Sequence, residues 1–322
     1  MKINKIHSSL IFLLGISIFI TSCSDSLSDT TDGRLRYWIS TLSSDEFEGR
    51  APGTEGGQLT KNFISKTSQS LNLDPVDGSY FLDVPASEIT LKDSSYLTLS
   101  FRGNDRKMIT GEEVVFWTKQ ARDYRKIRDS EVVFVGYGIV APEYNWDDYE
   151  GIDVKGKTVV ILINDPGFAT GKLRLFNGRS MTYYGRWTYK FEEAARQGAA
   201  AAIIVHEEEP AAYPWSVVEN SWQGPQLDLQ RDDLGADRVI LEGWIKDGIL
   251  NDVLNFTGFD YDSLKQIALE KTFSAFPLRG LTLSSEIHNK VRYLQSHNIA
   301  AVKKGISHPD EYILFMAHWD HL

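Results

Sequence analysis

The sequence predicts an α/β fold, and three observations carry that expectation. Residues 131–135 and 157–163 are short runs rich in β-branched side chains and read as strands. Further on, Trp187, Phe191, Ala194 and Ala195 share one helical face, Gly198 is placed to stop that helix, and 200–205 follows as a buried strand. Helix, glycine and strand in that order form a crossover that lays the new strand beside its predecessor. Near the end, 312–317 is a continuous apolar run, the pattern of a strand covered on both faces.

The remaining elements fall into three regions. In 35–128, Leu35, Trp38, Ile39 and Leu42 recur at helical spacing, and a Gly- and Pro-bearing loop over 43–54 ends that helix. Leu59, Phe63 and Ile64 predict a second helix over 55–71, and 96–101 and 114–117 read as strands. In 129–276, the turn Val154-Lys155-Gly156 leads into the strand at 157–163, and 264–269 suggests a short helix. In 277–322, a strand at 298–303 and a turn at 305–310 precede an expected strand at 311–317. That strand runs into His318-Trp319-Asp320-His321-Leu322. A doubly covered strand needs helices on both sheet faces, and little sequence is left unassigned to provide them. The expectation is therefore that this region begins a larger domain.

The chain has 322 residues and a formal charge of -10, which lacks the basic footprint of a nucleic-acid-binding protein. A peptide or small-molecule partner suits it better. The single cysteine, Cys23, excludes an intramolecular disulfide and a cysteine-rich zinc site. Lys2 and Lys5 precede an apolar run over 10–20, broken only by Gly15 and Ser17. As a helix it spans about 16 Å, short of the roughly 30 Å of bilayer hydrocarbon, and it reads as the core of a signal peptide over 1–22. Ile20-Thr21-Ser22-Cys23 resembles the bacterial lipoprotein processing box. That resemblance implies cleavage before Cys23, lipid attached to its thiol, and a cell-envelope location held by the lipid anchor alone. Residues 23–34, rich in Ser, Asp and Thr, read as a flexible tether.

His318 and Asp320 carry the candidate chemistry. Both are expected at the carboxyl end of a buried strand, where ligands bind in open α/β sheets. Alternation puts 318 and 320 on one side and Trp319 on the other. Zinc takes imidazole nitrogen and carboxylate oxygen where thiolates are lacking, and a ligand histidine commonly donates its other ring N–H to a carboxylate. His318 as ligand and Asp320 as its orienting acid satisfy that logic. The triplet alone is more often a satisfied structural histidine, and its expected place after a buried strand is what raises the metal reading to equal weight.

Three blocks in fixed order add to it. Leu42-Ser43-Ser44-Asp45-Glu46-Phe47-Glu48-Gly49-Arg50-Ala51-Pro52-Gly53-Thr54, then Asp77-Gly78-Ser79-Tyr80-Phe81, resembles the opening of the two-zinc exopeptidase family of bacterial leucyl aminopeptidase, aminopeptidase Y and glutamate carboxypeptidase. Phe134-Val135-Gly136-Tyr137-Gly138-Ile139, Asp147-Asp148-Tyr149 and 153–160 resemble that family's inserted protease-associated domain. Ala317-His318-Trp319-Asp320-His321-Leu322 is similar to its first metal motif. The resemblance implies an incomplete α/β/α exopeptidase domain with a mixed α/β protease-associated domain inserted over 129–276. It implies that His318 binds one of two zinc ions, that Asp320 supports it, and that the other ligands and the general base lie beyond this motif. Zinc-dependent hydrolysis of peptides, most simply by an aminopeptidase, is the implied activity, with this stretch alone inactive. A non-catalytic surface lipoprotein that binds peptides through the protease-associated domain, and a carboxypeptidase, are the alternatives.

Other patterns carry less. Gly136-Tyr137-Gly138-Ile139-Val140-Ala141 matches a dinucleotide fingerprint, but Pro142 and the turn-prone 145–148 deny the helix it requires, so the glycines are expected to serve a tight turn or close packing. His206-Glu207-Glu208-Glu209-Pro210 has proline where a second zinc-binding histidine is needed and reads as a solvated loop. No G-x-S-x-G elbow occurs. The aromatic runs at 183–189 and 213–222 suit a peptide groove or core packing.

Overall fold

The computed structural model describes residues 31–321. The apolar leader and Cys23, with its expected lipid, lie outside the described residues. No described helix is long and apolar enough to cross a membrane. The helices are α1 Thr31–Leu42, α2 Glu55–Ser70, α3 Pro166–Thr170, α4 Trp187–Arg196, α5 Glu208–Ala211, α6 Trp215–Trp222, α7 Asp247–Asn255 and α8 Tyr261–Ile267. The strands are β1 Asp74–Pro75, β2 Phe81–Leu91, β3 Tyr96–Phe101, β4 Asn104–Lys107, β5 Val114–Trp117, β6 Tyr124–Phe134, β7 Val140–Ala141, β8 Trp146–Asp147, β9 Thr158–Leu162, β10 Ala201–His206, β11 Pro225–Leu229, β12 Leu241–Lys246, β13 Phe276–Ile299 and β14 Ala301–Val302. The last residues of the expected tether, Thr31 through Arg34, are already helical. Asp32 and Arg36, one turn apart, pair at 2.9 Å across the first turn of α1.

The chain divides into two compact units. One holds 84–295; the other holds the described residues up to Asp83 together with those from Ser296. The divisions fall inside β2 and β13.

Within 84–295 the sheet is mixed. Its strand order is β11-β2-β13-β6-β9-β10-β12-β5, with β3 paired to β13 and β4 to β3. The predicted crossover is present: β10 lies parallel to β9, with Ala201 opposite Thr158. β6 and β12 extend the parallel set on either side. Alternation then sorts the side chains of β6, β9 and β10. Val132, Phe134, Val160, Leu162, Ile203 and Val205 enter one core with Leu250, Val253 and Leu254 of α7 and Leu264 of α8. Val133, Val159, Ile161, Ala202 and Ile204 enter the other with Phe191 and Ala194 of α4 and Trp215 and Val218 of α6. Helices on both faces of this parallel set make the unit a three-layer α/β/α arrangement.

At the carboxyl ends of these strands the chain turns sharply and polar groups are buried. Gly136 and Gly138 have φ of 55° and 61°, and a Cβ at Gly138 would sit 3.0 Å from Ile161. The fingerprint-like glycines thus serve a tight turn against packed side chains. Asp148 closes the turn, accepting from the Ile139 N–H at 2.9 Å and the Trp146 indole N–H at 2.8 Å. Lys190 of α4 is wholly buried and donates to the Tyr137 carbonyl at 2.6 Å. Burial drives the Lys190 pKa down and the Asp148 pKa up, while attraction from Asp148 and Asp165 partly restores the lysine's charge. His206 corrects the expected solvated loop. It is 3% exposed at the end of β10 and bonds through Nε2 to the Tyr213 carbonyl at 3.1 Å, and the residues after it form the single turn α5. Pro210 is tolerated because it lies in the first turn, where an amide N–H would have no helical partner. The aromatic runs pack against one another and against the core: Trp187 meets Trp222 at 5.1 Å between centroids, Trp222 stacks on Trp117 of β5 at 3.6 Å, and Tyr184 meets Tyr189 edge-on at 5.1 Å.

Replacing Lys190 by Met leaves Asp148 and Asp165 facing a neutral neighbour. The expected cost is about 3 kcal/mol of unfolding free energy in urea, typical of stripping one partner from a buried ionic group. A loss below about 1 kcal/mol would mean that the carboxylates need only their N–H donors.

Candidate metal centre

The candidate residues lie in the unit formed by the described residues up to Asp83 and from Ser296. Its frame is α1, a 3-10 segment at Asp45–Arg50, and α2. Thr54 caps α2 by accepting from the Gly57 N–H at 3.1 Å. Glycines at the first turn of a helix are poor helix formers, and their presence has a steric cause. A Cβ at Gly56 would lie 2.0 Å from the Phe47 carbonyl oxygen, and one at Gly57 would lie 2.3 Å from that of Ala51. Only bare backbone lets the loop lie along the start of the helix.

That loop reaches the terminal segment. Arg50 donates through Nε to the Trp319 carbonyl at 3.0 Å, and its guanidinium also donates to the carbonyl of Leu42, the last residue of α1. The Trp319 indole N–H donates to the His297 carbonyl at 3.1 Å. His297 sits in a polar chain of its own. The Lys61 ammonium donates to its Nδ1 at 2.9 Å, and its Nε2 faces Asp83 Oδ1 at 3.3 Å. Burial lowers the pKa of both Lys61 and His297, and the lysine charge lowers the imidazole further.

With Trp319 turned inward, His318 and Asp320 lie together on the other side. The His318 Nδ1–H meets Asp320 Oδ1 at 3.2 Å, and the imidazole side chain is 92% exposed. This pairing leaves Nε2 as the nitrogen open to a metal. His321 is also exposed.

The surroundings differ from the expectation. Residues 311–317 form no strand, and His318 is not at the tip of one. Ile313, Phe315 and Met316 are 86%, 90% and 85% exposed. An extended segment becomes a strand only when a neighbouring strand takes its N–H and C=O groups, and no described strand pairs with this one. Among the described residues, no group of three or more His, Cys, Asp or Glu side chains could hold a metal ion. Since catalytic zinc sites use three protein ligands, the described residues do not fit a complete zinc centre, and no catalytic step can be routed through one here. Sequence reasoning placed Trp319 opposite His318 and Asp320 and included Arg50 in the first of the three blocks, but it did not foresee that Arg50 and His297 meet Trp319.

No protein-family model matches the sequence, and no curated protein matches it. Among solved structures, an aminopeptidase from Aneurinibacillus sp. strain AM-1 is similar over 84% of this chain, at 19% identity and a TM-score of 0.40. The zinc aminopeptidase BSAP from Bacillus subtilis is similar over 84% of this chain, at 17% identity and a TM-score of 0.30. The chain spans about half the length of these proteins, 47% and 46%.

His297, and His206 in the other unit, both have pKa values held below the ordinary 6.5 by burial. As pH falls below that value the unfolded chain binds protons first, so stability present above about pH 6.5 is lost on acidification. Urea midpoints should therefore drop between pH 7 and pH 5.5, and less steeply in His206→Gln. An unchanged slope in that variant would assign the acid sensitivity elsewhere.

Proposed function

We propose that this chain supplies the front part of a zinc-dependent exopeptidase, most simply an aminopeptidase, acting on peptides in the cell envelope. The observation that carries the reading is the His318–Asp320 contact, a carboxylate holding one ring nitrogen at 3.2 Å while the ring stays open to solvent. That is the arrangement in which an imidazole is oriented and made more basic for a metal. Support also comes from the order of the three sequence blocks. In this reading 129–276 is the inserted protease-associated domain, Cys23 carries the lipid, and two zinc ions serve the complete site.

The described residues contribute one imidazole and one orienting carboxylate. Bound zinc would polarise the substrate carbonyl and activate water. The residues in hand would orient a single ligand, and the remaining donors and the general base would have to come from elsewhere. Residues 24–322 alone are accordingly expected to show no zinc-dependent hydrolysis of leucine anilides.

The deciding experiment uses the full product of the gene, once the coding sequence around Leu322 has been read. Zinc should shift the His318 ring resonances, and Asp320→Asn should weaken zinc affinity by about 10- to 100-fold. Turnover by residues 24–322 alone would remove the incomplete-site reading. A full product that binds peptides but neither zinc nor hydrolysable substrate would favour a peptide-binding surface lipoprotein instead.

A further inference from the structure

We propose that Arg50 is a positioning residue, a clamp that fixes the main chain at Trp319 and thereby the direction in which His318 and Asp320 leave it. The proposal takes its functional meaning from the metal-binding reading of that pair, but its geometry stands apart from it.

Three observations converge. First, the loop that presents Arg50 is conformationally costly. Glu48, Gly49 and Arg50 have φ of 46°, 71° and 66°, three consecutive residues in the left-handed region that side chains other than glycine disfavour. Such strain persists only where the surroundings over-determine it. Second, the strain aims one guanidinium at two carbonyls far apart in sequence, those of Leu42 and Trp319. The Leu42 carbonyl closes α1, where helix carbonyls lack intrahelical partners, so it is a fixed and available acceptor. Arg50 thus ties the terminal segment to the end of a helix. Third, Trp319 is held at its other extremity as well. Its indole N–H reaches the His297 carbonyl, and its ring comes within 3.5 Å of where a Cβ on Gly57 would stand. Gly49, in the same loop, lies against the His321 carbonyl, 3.7 Å from its own would-be Cβ.

The contrast with the residues just upstream shows what the clamp does. Residues 312–316 pair with no strand and are highly exposed, whereas Trp319 is fastened through both main chain and side chain. In an extended chain, turning Trp319 inward turns both its neighbours outward. Anchoring that one residue therefore sets His318 and Asp320 on a common side. Lysine could not replace Arg50, because a single ammonium lacks the planar fork that reaches two separate carbonyls.

The test is NMR on the full chain with labelled tryptophan and histidine, comparing wild type, Arg50→Lys and Trp319→Phe. Trp319→Phe assigns the indole signal and removes the bond to His297. In Arg50→Lys the Trp319 indole N–H should exchange at least about tenfold faster, roughly the loss of one charge-assisted hydrogen bond. The His318 Nδ1 signal should move toward its position in Asp320→Asn. The Trp38 signal in α1 and the Trp117 signal in the other unit should stay unchanged, which a general loss of folding would not allow. Trp319→Phe should shift the His318 signal in the same direction. A His318 signal identical to wild type in both variants overturns the proposal, as does equal loosening of Trp38 and Trp319. The metal reading is decided separately by the zinc response of His318, so neither failure can be mistaken for the other.

Discussion

Two neighbouring strands, β9 and β10, have no face toward water, and that constraint organises the larger unit. Every apolar side chain along them must find an apolar partner, so helices are required above and below. Every polar group at their carboxyl ends must find a donor or acceptor inside the protein, because water is excluded there. Asp165 illustrates the second demand. It is fully buried, and its two oxygens accept from the Gly167 and Phe168 amides and from the Thr182 amide and hydroxyl. The cap of a five-residue helix and the closure of the following loop thus rest on one carboxylate.

The smaller unit follows a different logic. Its hydrogen bonds around Trp319 run to main-chain carbonyls: Arg50 to Trp319 and to Leu42 at the end of α1, and Trp319 to His297. Carbonyl acceptors carry no sequence signature, since every residue has one. The link between Arg50 and Trp319, 269 positions apart, therefore could not be read from residue types.

What could be read was whatever depends on side-chain periodicity. The limits of β3 and β5, the start of α2, the helix ended before Gly198 and the parallel pairing of β10 with β9 all follow from apolar spacing and a left-handed glycine at φ 80°. The reading failed where periodicity was right but partners were missing. Residues 311–317 have the composition of a central strand, and composition states only which neighbours a segment could use. His206 failed for the opposite reason: its charged successors suggested exposure, yet the strand carries the imidazole into the interior before the chain turns. His318 and Asp320 were legible as a pair because a two-residue spacing in extended chain fixes their side. Their setting was not, because it depends on groups distant in sequence.

The uncovered run from Tyr312 to Met316 has a consequence for handling the protein. Five apolar side chains stand in solvent on a backbone whose hydrogen-bonding groups face no described strand. Such a stretch is a template onto which an identical stretch from another molecule can be laid. Solubility should thus be governed by this short run more than by the net charge of -10, which keeps molecules apart only at a distance and is muted by salt.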